Sequence, residues 1–127
     1  RGLGCDDYHT VAPLVTAQPV RYTKINVNAA VAEVLASLAD NLAITDGETL
    51  IEARPKDGFD KIPSFTDELN RLGNHQTYME NFLDVQSSYF LVDAMAEFDE
   101  SNAQLHRLVH RNDTGGVRVV TRSRGDY

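Results

Sequence analysis

Residues 75–111 read HQTYMENFLDVQSSYFLVDAMAEFDESNAQLHRLVHR, and the period assigned to this stretch decides the fold. Tyr78, Phe82, Val85, Tyr89, Val92 and Ala96 fall on one stripe at helical spacing. Met79, Leu83, Phe90, Leu91, Ala94, Met95 and Phe98 form a second stripe beside it. A helix apolar over so wide an arc is buried on several sides or faces a partner. The spacing therefore predicts a central helix over 75–98. Asp99-Glu100-Ser101-Asn102 interrupts it, and Ser101 or Asn102 can cap a continuation in which Leu105, Leu108 and Val109 carry the apolar face to Arg111. Unbroken, such a helix would be roughly 55 Å long, so a kink is expected.

Upstream, Asn28 stands as an N-cap before Val31, Val34, Leu35, Leu38 and Leu42, which share one helical face. A helix is expected over 29–43, followed by a turn at Thr45-Asp46-Gly47. Glu48 to Arg54 fits either a short helix or a strand, and Pro55 closes it. Ser64 with Asp67 resembles a capping box, and Phe65, Leu69 and Leu72 mark a short helix ended by Gly73.

The two ends differ from this middle. Residues 1–27 carry no helical period, and Pro13 and Pro19 interrupt them. Val20 to Ile25 is strand-like. Asn112-Asp113-Thr114-Gly115-Gly116 is a turn, and Val117 to Arg122 is a strand with Val117, Val119 and Thr121 on one face. Val20–Ile25 is its candidate partner, because one strand alone leaves its backbone unpaired. The expected fold is mainly α: a domain of three or four helices over 28–111, with an extended N-terminal arm over 1–27. Residues 112–127 then form a turn, a short terminal β element and an arginine-rich tail.

The bulk properties fit one domain. The chain has 127 residues, 42% hydrophobic and 24% charged, which is ordinary globular usage. It opens on Arg1 rather than Met, as a processed product or fragment would. No apolar run approaches the ~18 residues of a membrane span. The single cysteine, Cys5, permits no internal disulfide, which suits a reducing compartment or a protein indifferent to redox state, and the expected setting is a reducing compartment or a virion or other assembly. Its neighbours Asp6 and Asp7 disfavour a thiolate, so Cys5 reads as inert despite His9 four residues on. The net charge of −7 disfavours general nucleic-acid binding. Between Ser64 and His106 only Arg71 is basic against eight carboxylates, whereas 107–127 hold five arginines against Asp113 and Asp126.

Few residues point to chemistry. His106 and His110 are at i, i+4, a spacing that on a helix brings two imidazoles to one metal. A third ligand is lacking at a helical offset, and Arg107 stands where a zincin carries glutamate. Four basic or titratable side chains at a helix end, His106, Arg107, His110 and Arg111, favoured there by the helix dipole, explain the pair more simply. Glu80 with Asp84, and Asp93 with Glu97, are i, i+4 carboxylate pairs that read as a solvent edge or docking surface rather than an acid–base couple. No phosphate-binding glycine loop or nucleophile elbow occurs, so neither catalytic residues nor a cofactor are expected. Arg124-Gly125-Asp126 spells an integrin-type tripeptide, read as a chance occurrence near the chain end.

Arg118, Arg122 and Arg124 have three readings: contacts to phosphates, bidentate pairs with the acidic helix of a neighbouring copy, or a solvated tail. Terminal arms, complementary charge blocks and an over-wide apolar helix together suggest a structural, self-assembling subunit of coat, shell or filament type. The partners expected are copies of itself or other protein subunits, with nucleic acid touched only through the arginine tail. The alternative is an accessory, non-catalytic subunit of a larger enzyme complex.

Overall fold

The structure is a computed structural model and describes residues 4–15, 23–73, 80–99 and 101–124. The chain divides into two compact units, Arg1–Gln86 and Ser87–Tyr127.

The first unit opens with helix α1, Cys5–Val11, where an extended arm was expected. Asp7 Oδ2 accepts a hydrogen bond from the Gly4 N–H at 3.3 Å and so ties the first turn. A 3-10 turn, Ala12–Leu14, carries Pro13 in its opening residues, where a missing N–H is tolerated. Residues 20–22 of the expected strand at Val20–Ile25 lie outside the described residues, and Thr23 and Lys24 are irregular. Ile25–Asn26 form β1, which pairs in parallel with β2, Leu83–Asp84. Val27 extends the pairing by donating its N–H to the Asp84 carbonyl at 2.9 Å.

The helix expected over 29–43 is shorter. Helix α2 spans Ala32–Ala36, and the chain then turns through Asn41 at φ +66° into α3, Ile44–Glu52. Asparagine tolerates that left-handed backbone better than most residues. The expected Thr45-Asp46-Gly47 turn is instead the first turn of α3. Asp46 reaches back to accept the Ala43 N–H at 2.8 Å, as an N3 residue of a capping box does. Gly47 is there for contact rather than for turning, since a Cβ would run into the backbone carbonyl of Ala32. Helix α4, Ile62–Leu72, follows the expected stripe but starts after Lys61, with Pro63 in its first turn.

These helices enclose one core. Val27, Leu35, Leu38, Leu50, Phe59, Phe65, Leu69 and Leu83 are buried together. Phe59 and Phe65 meet edge to face at 5.6 Å. Asn28, expected as an N-cap, instead joins three segments. Its Nδ2 donates to the carbonyls of Phe59 at 3.0 Å and Val85 at 3.1 Å, and its Oδ1 accepts the Phe59 N–H at 2.8 Å. Gly58 at φ +82° turns the preceding loop, and a Cβ there would strike the Asn28 amide. Arg54 donates to the Ala30 carbonyl, and burial lowers its pKa from the ordinary arginine value.

The second unit overturns the mainly α expectation. Residues 89–98 and 101–111 are strands β3, Tyr89–Phe98, and β4, Ser101–Arg111. With β5, Val117–Arg124, they form an antiparallel sheet in the order β3-β4-β5. The helix expected over 75–98 and its continuation to Arg111 are therefore replaced by a hairpin, and residues 74–79 lie outside the described part. The kink expected at Asp99 is a full reversal, with Asp99 at φ +52°. Apolar residues at both odd and even positions of β3 fit two sheet faces as well as they fit a broad helical arc. The helix-favouring Ala94, Met95, Ala96 and Glu97 yield to cross-strand pairing.

The strand expected at Val117–Arg122 is present and longer, but its partner is β4 rather than Val20–Ile25. Register passes from Leu108↔Thr121 to Val109↔Val119, which leaves Val120 as an extra residue in a bulge. Thr121 consequently faces away from Val117 and Val119. Asn112 closes the intervening loop: its N–H donates to the Gly116 carbonyl, and its Oδ1 accepts the Gly116 N–H.

Asn28→Ala should destabilise the first unit by about 3 kcal/mol, because it strands three backbone groups. Urea unfolding checks the loss, and the Phe59 amide should exchange faster with solvent. Gly47→Ala should also destabilise, by about 1–3 kcal/mol, although alanine is the better helix former. A raised thermal midpoint for this variant would contradict the close contact with Ala32.

Candidate functional site

The three-stranded sheet gathers most of the residues singled out in the sequence, and its register sorts them onto two faces. On one face the cross-strand rows are Tyr89–His110–Arg118, Leu91–Leu108–Thr121 and Asp93–His106–Ser123. Met95, Gln104, Glu97 and Asn102 continue this polar face. The other face carries Phe90, Val92, Ala94, Ala96 and Phe98 of β3 beside Ala103, Leu105, Arg107, Val109 and Arg111 of β4. Val117, Val119 and Arg122 of β5 lie on it as well.

His106 is buried, and its Nδ1 lies 2.5 Å from Oδ1 of the half-exposed Asp93. The contact stitches β3 to β4 and orients the imidazole. Ser123 stands across from His106 on β5. An acid–histidine–serine row thus exists that spacing along the chain conceals, since its members come from three strands. Tyr89 packs its ring on that of His110 at 4.6 Å. Beyond His110, a cavity of about 360 Å³ is lined by His110, Asn112, Gly116, Val117 and Arg118.

The proposed metal pair does not survive the change of secondary structure. His106 and His110 share a face of a strand, where four residues span about 13 Å, too far for one ion. Among the described residues no group of three His, Cys, Asp or Glu side chains could hold a metal. The carboxylate pairs separate as well. Glu80 is exposed on a 3-10 turn, and Asp84 lies in β2, 3.5 Å from Lys24 Nζ. Asp93 and Glu97 share β3, with only Asp93 engaged by a histidine. Arg118 and Arg122 fall on opposite faces of β5. Arg124 ends that strand opposite Leu105, and the rest of the Arg-Gly-Asp tripeptide lies outside the described residues.

Sequence reasoning missed the exposed apolar face and the place of Arg107 within it. Phe98 is 84% exposed, Val92 46% and Phe90 42%. Exposure on this scale along one strand marks a surface made to be covered. The available signal was the alternation Phe90, Val92, Ala94, Ala96 and Phe98, which a helical reading divides between two stripes.

Comparison with known proteins places these features. The family profile of type II secretion system protein K matches residues 25–86, from the first residue of β1 to the last of the first unit. Type II secretion system protein K of Aeromonas hydrophila is 26% identical over 129 aligned positions, covering 98% of this chain and 39% of that protein. Its counterpart in Pseudomonas aeruginosa is 29% identical over 119 positions, covering 94% of this chain and 34% of that protein. The chain thus spans between a third and two-fifths of the length of these curated relatives. Among solved structures, a chain of the GspK-GspI-GspJ complex from the type 2 secretion system of enterotoxigenic Escherichia coli shares its fold. That match has a TM-score of 0.70 at 19% identity and covers 98% of this chain and 45% of that one.

These likenesses overturn the expectation of a self-assembling coat, shell or filament subunit, since they run to a component of a secretion system. Among the described residues no helix is long and apolar enough to cross a membrane.

His106→Ala should lower the stability of the second unit by about 2–3 kcal/mol through lost packing and the loss of the Asp93 contact. Added zinc should leave the thermal midpoint of the unaltered chain unchanged, and calorimetry reads both outcomes.

Proposed function

We propose that this chain is the corresponding portion of a type II secretion system protein K. In this reading it acts without catalysis, as a subunit seated among other protein subunits of the secretion machinery. The observation that carries the reading is a coincidence of boundaries. The family profile begins at the first residue of β1, after helix α1 and the turn that follows it, and ends at the last residue of the first unit. The fold likeness then continues through the three-stranded sheet to cover almost the whole chain.

The composition agrees with such a role. The first unit has an apolar core with an acidic exterior, which suits contact with proteins rather than with nucleic acid. Arg118, Arg122 and Arg124, together with Asp93 and Glu97, supply charge on the sheet for subunit contacts. Glu80 and Asp84 supply it on the first unit.

The neighbouring solved chain comes from a complex of GspK with GspI and GspJ. By analogy, the partners of this chain are the I-type and J-type subunits of its own secretion system. Co-expression with those two subunits, followed by size-exclusion chromatography with light scattering, tests the reading. A co-eluting complex of defined mass is expected. Separate elution of this chain at every mixing ratio would reject it.

A further inference from the structure

We propose that the end of the three-stranded sheet beside the loop 112–116 binds a monocarboxylate with a short apolar body, gripped by Arg118, His110 and Asn112. The cavity of about 360 Å³ at this place is lined by His110, Asn112, Gly116, Val117 and Arg118. Every polar side chain of that lining offers an N–H donor, and none is a carboxylate. His110 and Arg118 are direct cross-strand partners on β4 and β5, so imidazole and guanidinium stand side by side. Arg118 makes neither a hydrogen bond nor an ion pair among the described residues.

The loop turns a donor of Asn112 to spare. Its Oδ1 accepts the Gly116 N–H at 2.6 Å and the Thr114 hydroxyl at 2.9 Å. Its Nδ2 donates to no group among the described residues. A Cβ on Gly116 would stand 2.9 Å from that Nδ2, so glycine keeps open the space beside the donor. The Tyr89 ring packs against His110 and restricts the imidazole. Tyr89 Oη is itself buried without a hydrogen-bond partner among the described residues, a second unsatisfied polar group at this end of the sheet.

Charge selects the ligand. Arg118 is the permanent cation of the lining, and Arg111 is committed elsewhere, donating to the Ser87 carbonyl at 3.0 Å. Asp113, exposed in the same loop, opposes a dianion. One guanidinium with amide and imidazole donors matches the single charge and planar fork of a carboxylate better than it matches a phosphate dianion. Val117 adds an apolar wall, and the cavity is larger than a carboxylate alone fills, so the ligand carries several carbons. A free organic acid and the last residue of a peptide share this chemistry. The site is built from β4, β5 and their loop, and it does not rest on the kinship proposed above.

Titrations of the isotope-labelled whole chain test it. The probes are isocaproate, isocaproamide, and an acetylated tripeptide ending in leucine with its carboxylate either free or amidated. The backbone amides of His110, Gly116 and Arg118 should shift saturably with a carboxylate and stay in place with both amides. Arg118→Gln should weaken that binding about tenfold, as the loss of a charge-assisted contact does. N112D retains an oxygen to close the loop but sets a negative charge against the ligand, and should weaken binding at least as much. Unchanged shifts elsewhere in the sheet would show that both variants fold. Inorganic phosphate at matched ionic strength should bind more weakly than isocaproate. Saturable binding of the peptide alone would support the seat and identify a protein chain end as the source, and binding of isocaproate alone would support it with a small organic acid as the source. Equal shifts with acids and amides, no shift with any probe, tighter binding of phosphate, or unaltered affinity in R118Q and N112D would each overturn the proposal. A failure to form the complex with I-type and J-type subunits would leave these results standing.

Discussion

The first unit depends on the side-chain amide of Asn28. Its helices are short, so propensity alone does not hold them. They hold because one asparagine uses both its donor and its acceptor to join the chain after β1, the loop at Phe59 and the segment after β2. These groups lie 31 and 57 residues away along the chain. With them fixed, Val27, Leu83 and Phe59 are brought to the same core, and Leu35, Leu50, Phe65 and Leu69 fill it. The turn at Gly58 follows from the same constraint, because only a residue without Cβ leaves room for the amide.

What could be read from the sequence follows the range of the interactions involved. Helix α4 was legible because Phe65, Leu69 and Leu72 repeat at its own period and Gly73 ends it. The loop at 112–116 was legible because Asn112 and the paired glycines act locally. Helices α2 and α3 were misdivided because Asn28 and Gly47 were given local roles, while their actual partners are Phe59, Val85 and Ala32. The largest error, a helix over 75–98, has the same cause. Each residue of β3 meets its partner on β4 across a reversal at Asp99, and no window along the chain contains that geometry. The candidate site shared this fate. Its residues were correctly singled out as titratable or charged, yet the grouping of Asp93 with His106, and of Arg107 with Arg122, exists only in the sheet.

The two units also differ in how complete they are. The first carries a closed core, and the profile of type II secretion system protein K matches it from residue 25 to residue 86. The sheet has a polar face locked by the Asp93–His106 contact and an apolar face that stands open. Such asymmetry is what a sheet shows when one side is finished by its own side chains and the other awaits a covering element. It also explains why the stretch resisted a one-dimensional reading, since its apolar residues answer to neighbours outside the chain segment.

The bulge at Val120 sets the phase of the last strand. Because side chains alternate, the bulge takes up the extra residue, and the faces of the residues after it no longer follow the even–odd count of the sequence. Arg118 belongs to the polar face and Arg122 to the apolar one although they are separated by an even number of positions. Removing Val120 would leave Arg118 and Arg122 three positions apart, so simple alternation would keep them on opposite faces and keep Ser123 across from His106 without a bulge. The bulge is thus a slack position, at which the strand can hold or lose one residue without exchanging the chemistry of its two faces. In a lineage of such proteins, insertion and deletion would be tolerated here, where the same change elsewhere in the strand would turn a binding surface to the other side.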